Sequence, residues 1–291
     1  MSIESGVLYV VATPIGNLGD LSRRAVEVLS GVSCIAAEDT RHTAGLLTHV
    51  GVRTPLVSLH EHNEQRQVPG LLNRLQAGEA LALVSDAGTP LVSDPGYRLV
   101  SAVREAGIRV APIPGPSAFV AALSVSGMPS DRFLFEGFLP ARSQARCHRL
   151  EALARETCTL IFYESSHRIG GSLEDMARVL GGARRAVVAR ELTKTFEQVR
   201  GDSLEGLRSW LGGDPDRRRG EFVVLVAGAP EEPEGDVGLE AERILALCLR
   251  EMSVKRAARL VAEITGLPRN RLYARALELP GRESESDDAR R

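Results

Sequence analysis

Through residues 7–126 the chain alternates short apolar runs with longer segments in which apolar residues recur every three or four positions. Apolar runs bounded by Gly, Pro and Asp read as buried strands, and the three-to-four spacing reads as amphipathic helix. The pattern predicts strands near 7–12, 32–38, 55–59, 80–85 and 109–113, and helices near 20–30, 41–49, 64–77, 95–106 and 117–126. This βαβα rhythm implies a mostly parallel sheet with helices on both faces. A second series begins near Met128, with strands at 132–138, 158–164, 185–193, 196–201 and 221–227 and helices near 143–156, 167–180 and 203–211. Two consecutive strands with no helix between them, and a final strand after Arg217-Arg218-Arg219-Gly220, imply a mixed sheet that is partly antiparallel. No period of 20–50 residues is visible, which excludes a repeat architecture. The fold class expected is α/β: two α/β domains, 1–126 and 127–229, the first parallel-rich and the second mixed.

After residue 229 the pattern changes. Residues 230–240 hold five acids, two prolines and no base, the composition of a solvated linker, which we place at 230–238. A helical extension follows at 239–280: one helix to Arg250, a second from Ser253 to a glycine turn at Gly266, and a third from Arg269. Ser253 has the chemistry of an N-cap and Gly266 that of a C-terminal glycine. Helix, glycine turn, basic helix is the outline of a helix-turn-helix. Residues 253–275 carry six bases against one acid, which points to RNA contact through Lys255, Arg256, Arg259, Arg269, Arg271 and Arg275. The charged tail 281–291 is expected to be disordered.

The polar chemistry collects where strands end. Residues 80–96 run from an apolar strand into Asp86, Ala87, Gly88, Thr89-Pro90 and Asp94-Pro95-Gly96. TPIGNLGD at 13–20, AEDTRHT at 37–43 and PIPGPSA at 112–118 occupy the same position in three other strand-to-helix junctions. Open α/β sheets build ligand crevices at the carboxyl ends of their strands, so these four loops predict one composite site. No GxGxxG and no GxxxxGK[ST] is present, so neither a dinucleotide fold nor a nucleotide-phosphate loop is indicated.

Composition narrows the class further. The 291 residues are 43% hydrophobic and 25% charged, enough apolar material for real cores. No apolar run approaches the ~20 residues of a membrane helix, and the first residues lack a basic leader, so a cytosolic protein is expected. Cys34, Cys147, Cys158 and Cys248 are scattered without a CxxC, which argues against a zinc site or a disulfide framework. His60 and His62 are assigned no metal site. The net charge of −2 shows no global basic field, yet the 36 bases are two lysines and 34 arginines. A lysine can lose its proton and an arginine cannot, which singles out Lys194.

The ordered set TPIGNLGD, AEDTRHT, SDAGTPLVSDPG and PIPGPSA resembles the tetrapyrrole methylase superfamily, in its ribosomal RNA branch. PSDRF at 129–133, EGFLP at 136–140, IFYES at 161–165, ARELTK at 189–194 and Gly220-Glu221 extend the likeness across residues 7–228, and more loosely into the extension. Corrin-pathway members generally carry GxGxGD and GDP loops; TPIGNLGD and SDAGTP depart from them and move the reading away from tetrapyrrole substrates. The resemblance implies S-adenosylmethionine bound in a cleft between two α/β domains, with no metal. It implies transfer of the methyl group to the ribose 2′-hydroxyl of cytidine 1402 in 16S ribosomal RNA, and a homodimer. Carried over by motif, the donor site is Pro14, Asp86, Ala87, Gly88, Leu91, Val92, Ser117, Ala118, Tyr163, Glu191 and Leu192. A ribose hydroxyl is a poor acid and needs a base or strong electrostatic help. Lys194 is the candidate base if desolvation lowers its pKa. Asp39 and Arg41 are candidates for positioning the nucleotide, although Asp39 equally fits a helix cap. Arg142, Arg146 and Arg149 are candidate phosphate contacts. Two rival readings stand beside this one: a C-methyltransferase of corrin or porphyrin synthesis, and a non-catalytic ribosome-assembly factor.

Overall fold

The computed structural model describes residues 3–230 and 238–279. They form two compact units, Met1–Ala229 and Pro230–Arg291. In the first unit, strands β1 (Val7–Val11), β2 (Cys34–Ala37), β3 (Leu56–Ser58), β4 (Leu81–Val84) and β5 (Arg109–Ile113) build one parallel sheet in the order β3-β2-β4-β1-β5. Helices α1 (Arg23–Gly31), α2 (Thr40–His49), α3 (Glu64–Gln76), α4 (Tyr97–Glu105) and α5 (Ala118–Ser126) connect and follow these strands.

Strand alternation sorts the side chains into two layers. Val7, Tyr9 and Val11 of β1 and Ala82 and Val84 of β4 pack with Ala25, Val28 and Leu29 of α1 and Leu47 of α2. Leu8 of β1 and Leu81 and Leu83 of β4 face the other way, onto Leu71 and Leu75 of α3 and Leu99 and Val103 of α4. A sheet buried on both faces needs the continuous apolar runs seen in this sequence.

The second sheet, in the order β6-β7-β10-β8-β9, comprises β6 (Phe133–Phe138), β7 (Thr159–Ser165), β8 (Arg185–Arg190), β9 (Gln198–Ser203) and β10 (Glu221–Val226). Only β6 and β7 pair in parallel; β7-β10, β10-β8 and β8-β9 are antiparallel, giving the mixed sheet expected. Helices α6 (Ser143–Leu153), α7 (Ile169–Leu180) and α8 (Leu204–Gly212) cover one face through Leu150, Leu173, Leu207 and their neighbours. Ala122 and Met128 pack on the opposite face, against Ile161, Val187 and Val223. Helix α5, the last element assigned to a 1–126 domain, therefore packs on the second sheet. It ties the two sheets together.

Helices α9 (Leu239–Glu251), α10 (Val254–Thr265) and α11 (Arg269–Glu278) form the second unit around Leu245, Val254, Ala258, Val261 and Leu272. Gly266 ends α10 with φ +72°, the left-handed cap its sequence position implied. Ser253 occupies the N-cap position, but its side chain makes no capping hydrogen bond. The linker and tail expected at 230–238 and 281–291 lie outside the described residues, apart from Pro230 and Gly238. No described helix is long and apolar enough to cross a membrane.

Candidate active site

The four strand-end loops do converge. Thr13 donates its N–H to the Gly88 carbonyl (2.8 Å) and accepts from Gly88 N–H (3.1 Å), which joins the loop after β1 to the loop after β4. The Thr13 hydroxyl donates to the Ser85 carbonyl (3.2 Å), and the Thr89 hydroxyl donates to the Pro116 carbonyl (3.1 Å). Gly88 sits at φ +85°, a conformation that leaves its backbone open to a ligand. Across from these loops, Tyr163 Oη accepts the Phe119 N–H (3.3 Å) and so pins the start of α5 to the second sheet.

These loops enclose a cleft of about 410 Å³ within the first unit. From the first sheet, Ile15, Glu38, Asp86–Thr89, Val92–Asp94, Ser117 and Ala118 line it; from the second, Phe138, Tyr163–Ser166, Ala189, Leu192 and Gly220–Val223 do. Of the eleven expected donor contacts, Asp86, Ala87, Gly88, Val92, Ser117, Ala118, Tyr163 and Leu192 are thus brought together. Pro14, Leu91 and Glu191 are not on the wall. Ile15 lines the cleft beside Pro14, and the Glu191 carboxylate accepts from Lys194 Nζ (2.9 Å) and Glu221 N–H (3.0 Å) behind it. Among the described residues, the non-glycine positions with positive φ are Leu91 (75°), Ser93 (65°), Glu191 (51°) and Thr193 (66°). Each pair brackets a wall residue, Val92 on one side and Leu192 on the other. Strain of this kind persists only where the surroundings enforce it, and it clusters at functional sites.

Glu38, Thr89, Ser93 and Asp94 were not among the expected donor contacts, although all lie inside the loops from which the composite site is predicted. Burial, then the neighbouring Asp86 charge, raises the Glu38 carboxyl. Burial is also the main reason Asp94 is pushed up to about 6. The Tyr163 phenol is raised by the same cause. A cleft with several carboxylates and water-poor walls suits a cationic donor and disfavours phosphate.

Three expected roles change. Lys194 donates to Glu221 (2.7 Å) and Glu191 (2.9 Å), and its stem lies across Gly16, where an added Cβ would sit 2.7 Å from Lys194 Cε. Desolvation alone would lower its pKa, but the hydrogen bonds to the two carboxylates outweigh that and raise it. The base role rested on a lowered pKa; as held here, Lys194 is an ammonium. Asp39 caps α2, accepting from Arg41 N–H (2.8 Å) and pairing with the Arg41 guanidinium (3.0 Å), and that guanidinium holds its pKa near 2. Neither residue lines the cleft, so the cap reading of Asp39 is the one realised. Arg146 is buried and ion-paired to Asp175 (2.6 Å), with its remaining donors on the Pro140 and Ala141 carbonyls. It holds α6 to α7 and cannot reach a phosphate. Arg142 is exposed at the start of α6, and Arg149 is exposed and pairs with Glu136.

In the second unit Lys255, Arg256, Arg259 and Arg269 are exposed, with Arg259 near Glu263 (3.6 Å). Arg271 is half-buried, and Arg275 is tied to Glu242 (2.5 Å) and Glu278 (2.8 Å). His60 and His62 lie in a turn rather than on a strand, with rings 6.1 Å apart. Among the described residues no three His, Cys, Asp or Glu side chains are grouped to hold a metal.

The profile of the family described as Tetrapyrrole (Corrin/Porphyrin) Methylases matches residues 7–208, and that of an RsmI C-terminal HTH domain matches 235–280. The chain is 55% identical over 282 residues to the ribosomal RNA small subunit methyltransferase I of Pseudomonas aeruginosa, covering 96% of this chain and 100% of that one. It is 51% identical over 278 residues to the protein of the same name from Pasteurella multocida, covering 96% and 99%. Among solved structures, a diphthine synthase aligns over 76% of this chain and 90% of its own, at 19% identity and a TM-score of 0.59. A uroporphyrin-III C-methyltransferase from Thermus thermophilus, complexed with S-adenosylhomocysteine, aligns over 75% and 96% at 18% identity and a TM-score of 0.51. The chain belongs to the tetrapyrrole methylase family and, within it, to the ribosomal RNA small subunit methyltransferases I.

Proposed function

We propose that this chain transfers a methyl group from S-adenosylmethionine to the ribose 2′-hydroxyl of cytidine 1402 in 16S ribosomal RNA. The observation that carries the reading is the extent of the likeness. Its relatives match 96% of the chain, second unit included, whereas the solved uroporphyrin methylase aligns over only 75%. A small-molecule methylase has no need of an added three-helix unit that exposes Lys255, Arg256 and Arg269. An assembly factor without chemistry has no need of a strained, enclosed cleft. Both rivals therefore explain less.

In this reading the donor occupies the cleft with Asp86, Ala87, Gly88, Val92, Ser117, Ala118, Tyr163 and Leu192 around it, and Pro14, Leu91 and Glu191 hold the wall in shape. The reaction is an in-line displacement at a carbon already activated by a sulfonium, so alignment supplies much of the rate. The Lys194 ammonium stands beside the cleft residue Glu221 and contributes charge rather than proton uptake. Arg142, Lys255, Arg256, Arg259 and Arg269 supply phosphate contacts that position the RNA. A homodimer is supported by the apolar face of α5, where Val120 and Val125 are more than half exposed. A small-subunit substrate supports a cytoplasmic location.

The test is transfer of radiolabel from S-adenosylmethionine into purified small subunits lacking the modification, with nuclease mapping of the product. Label on one ribose supports the reading. No label on subunits or free RNA, from a protein that binds the donor, returns the acceptor to a small molecule. Donor at 100 times its Kd should also stabilise the fold by about 2.7 kcal/mol. No shift in Tm at that excess would remove the methylase reading altogether.

A further inference from the structure

With Lys194 held as a cation, the cleft still needs a group to take the hydroxyl proton. Five carboxylates line it, and four are committed. Glu164 is buried, accepts from Ser172 Oγ (2.5 Å) and Ser165 N–H (2.9 Å), and is ion-paired with Arg168 (3.2 Å). Glu221 pairs with Lys194 (2.7 Å). Asp86 accepts the Asp39 N–H (2.9 Å), and Glu38 faces the Asp86 N–H (3.5 Å), so each ties the end of β2 to that of β4. Asp94 differs. Among the described residues no cation pairs with it, and its polar neighbours are the Ser85 hydroxyl and the carboxylates of Glu38 and Asp86.

The backbone around Asp94 is held from two sides. Leu91 and Ser93 take positive φ just before it. At the bulge of β6, Gly137 approaches so closely that an added Cβ would lie 2.9 Å from Ser93 Oγ. After it, Gly96 at φ +120° leaves room for Leu83, whose Cδ2 would lie 2.7 Å from an added Cβ. A side chain fixed by its loop and free of a counter-ion can be aimed without a conformational change during the reaction. On the wall supplied by the second sheet, Phe138 is 55% exposed and stands 5.6 Å from Tyr163, edge to face, a surface on which a base can lie.

We propose that Asp94 is the catalytic base that accepts the 2′-hydroxyl proton. The inference rests on the ribose-methylation reading above. The O2′–C bond forms as the C–S bond breaks, the electron pair goes to sulfur, and S-adenosylhomocysteine leaves neutral. The proton passes from O2′ to the Asp94 carboxylate and then to water between turnovers. Burial, reinforced by Glu38 and Asp86, lifts Asp94 to about 6, so it is an anion at neutral pH yet a stronger base than an ordinary aspartate. The titratable groups facing it are Glu38 from the loop after β2, Asp86 from the loop after β4 and Tyr163 from β7.

The experiment is the pH dependence of single-turnover methylation of unmodified small subunits, at saturating donor, for the wild type, Asp94→Asn, Asp94→Glu and Glu38→Gln. The wild-type rate should fall below pH ~6 as Asp94 takes up a proton. Asp94→Asn should lose about 100-fold in rate and lose that acidic limb, with donor affinity within threefold. Asp94→Glu should recover part of the rate together with the limb. Glu38→Gln should keep the limb and move it to lower pH, because one charge that raises Asp94 is gone. A wild-type profile flat from pH 5 to 8 overturns the proposal whether or not any variant folds. So does an Asp94→Asn enzyme that keeps its rate within threefold. Absence of wild-type methylation on any ribosomal RNA would instead overturn the underlying reading, and the two failures are distinct.

Discussion

Arg146→Ala tests whether this arginine serves the fold or the RNA. Its side chain is 7% exposed and that of Asp175 is 5% exposed, with the nearest atoms 2.6 Å apart. Removing one partner of a buried pair costs about 3–5 kcal/mol, because the other charge stays buried. Here Asp175 keeps Arg178 (2.5 Å) and Ser143 (3.0 Å), which places Arg146→Ala near the lower end. Asp175→Ala strands a buried guanidinium beside only the Pro140 and Ala141 carbonyls and belongs near the upper end. At about 2–4 °C per kcal/mol for a unit of this size, Arg146→Ala should lower Tm by roughly 6–12 °C. The double variant should cost less than the sum of the two, since each single change damages the same pair. Burial alone would raise the Asp175 carboxyl, but its hydrogen bonds to Ser143 and Arg146 and the Arg146 charge hold it below the usual aspartate range. Its contribution to stability is therefore present above about pH 4 and is lost as pH falls further. RNA binding is the control. Arg142→Ala should leave Tm within about 2 °C and shallow the slope of log K against log salt by roughly 0.7–0.9, whereas Arg146→Ala should leave that slope alone. If Arg146→Ala leaves Tm unchanged and shallows the slope as Arg142→Ala does, the argument from burial is refuted.

Three further outcomes follow from the same geometry. Lys194→Arg keeps a cation that cannot deprotonate and should retain at least about a tenth of the methylation rate, while Lys194→Met should lose far more; an inactive Lys194→Arg beside intact donor binding would restore the base role. Gly16→Ala drives a Cβ into the Lys194 stem at φ +149° and should slow turnover at least tenfold, an effect read by steady-state rates beside a Tm measurement. In the second unit, Lys255→Ala, Arg256→Ala and Arg269→Ala should each shallow the salt slope of RNA binding, whereas Arg275→Ala, which breaks pairs with Glu242 and Glu278, should destabilise the helices and leave the slope unchanged.

Much of this was legible in the sequence because the governing physics is local. Alternating apolar positions in 7–11 and 81–84 separate into the two layers that α1-α2 and α3-α4 cover, and Gly and Pro at the strand ends mark the loops that meet at the cleft. Motif likeness reached eight wall residues for the same reason: a segment that must bend sharply near a ligand has few usable sequences. What stayed hidden depended on partners distant in the chain. Lys194 reads as a lysine at a strand end, and nothing local says that Glu221, 27 positions later, will meet it across the β8-β10 pair.

Arg146 is the more instructive case, because a local signal did exist. Arg146, Leu150 and Leu153 fall at i, i+4 and i+7, so the arginine lies on the apolar stripe of α6, not its wet face. Ser172, Asp175 and Met176 repeat the arrangement on α7, again a charge among buried positions. Two opposite charges, each on the buried stripe of its helix, must either pair or cost more than folding can supply. Periodicity therefore carries charge information as well as apolar information. In α11 the partner decides instead: Arg275 reaches Glu242 of α9, whereas Arg269, at the first position of the helix, is exposed. A basic residue is a candidate for RNA only once its helical phase has been checked, and that check needs nothing beyond the sequence.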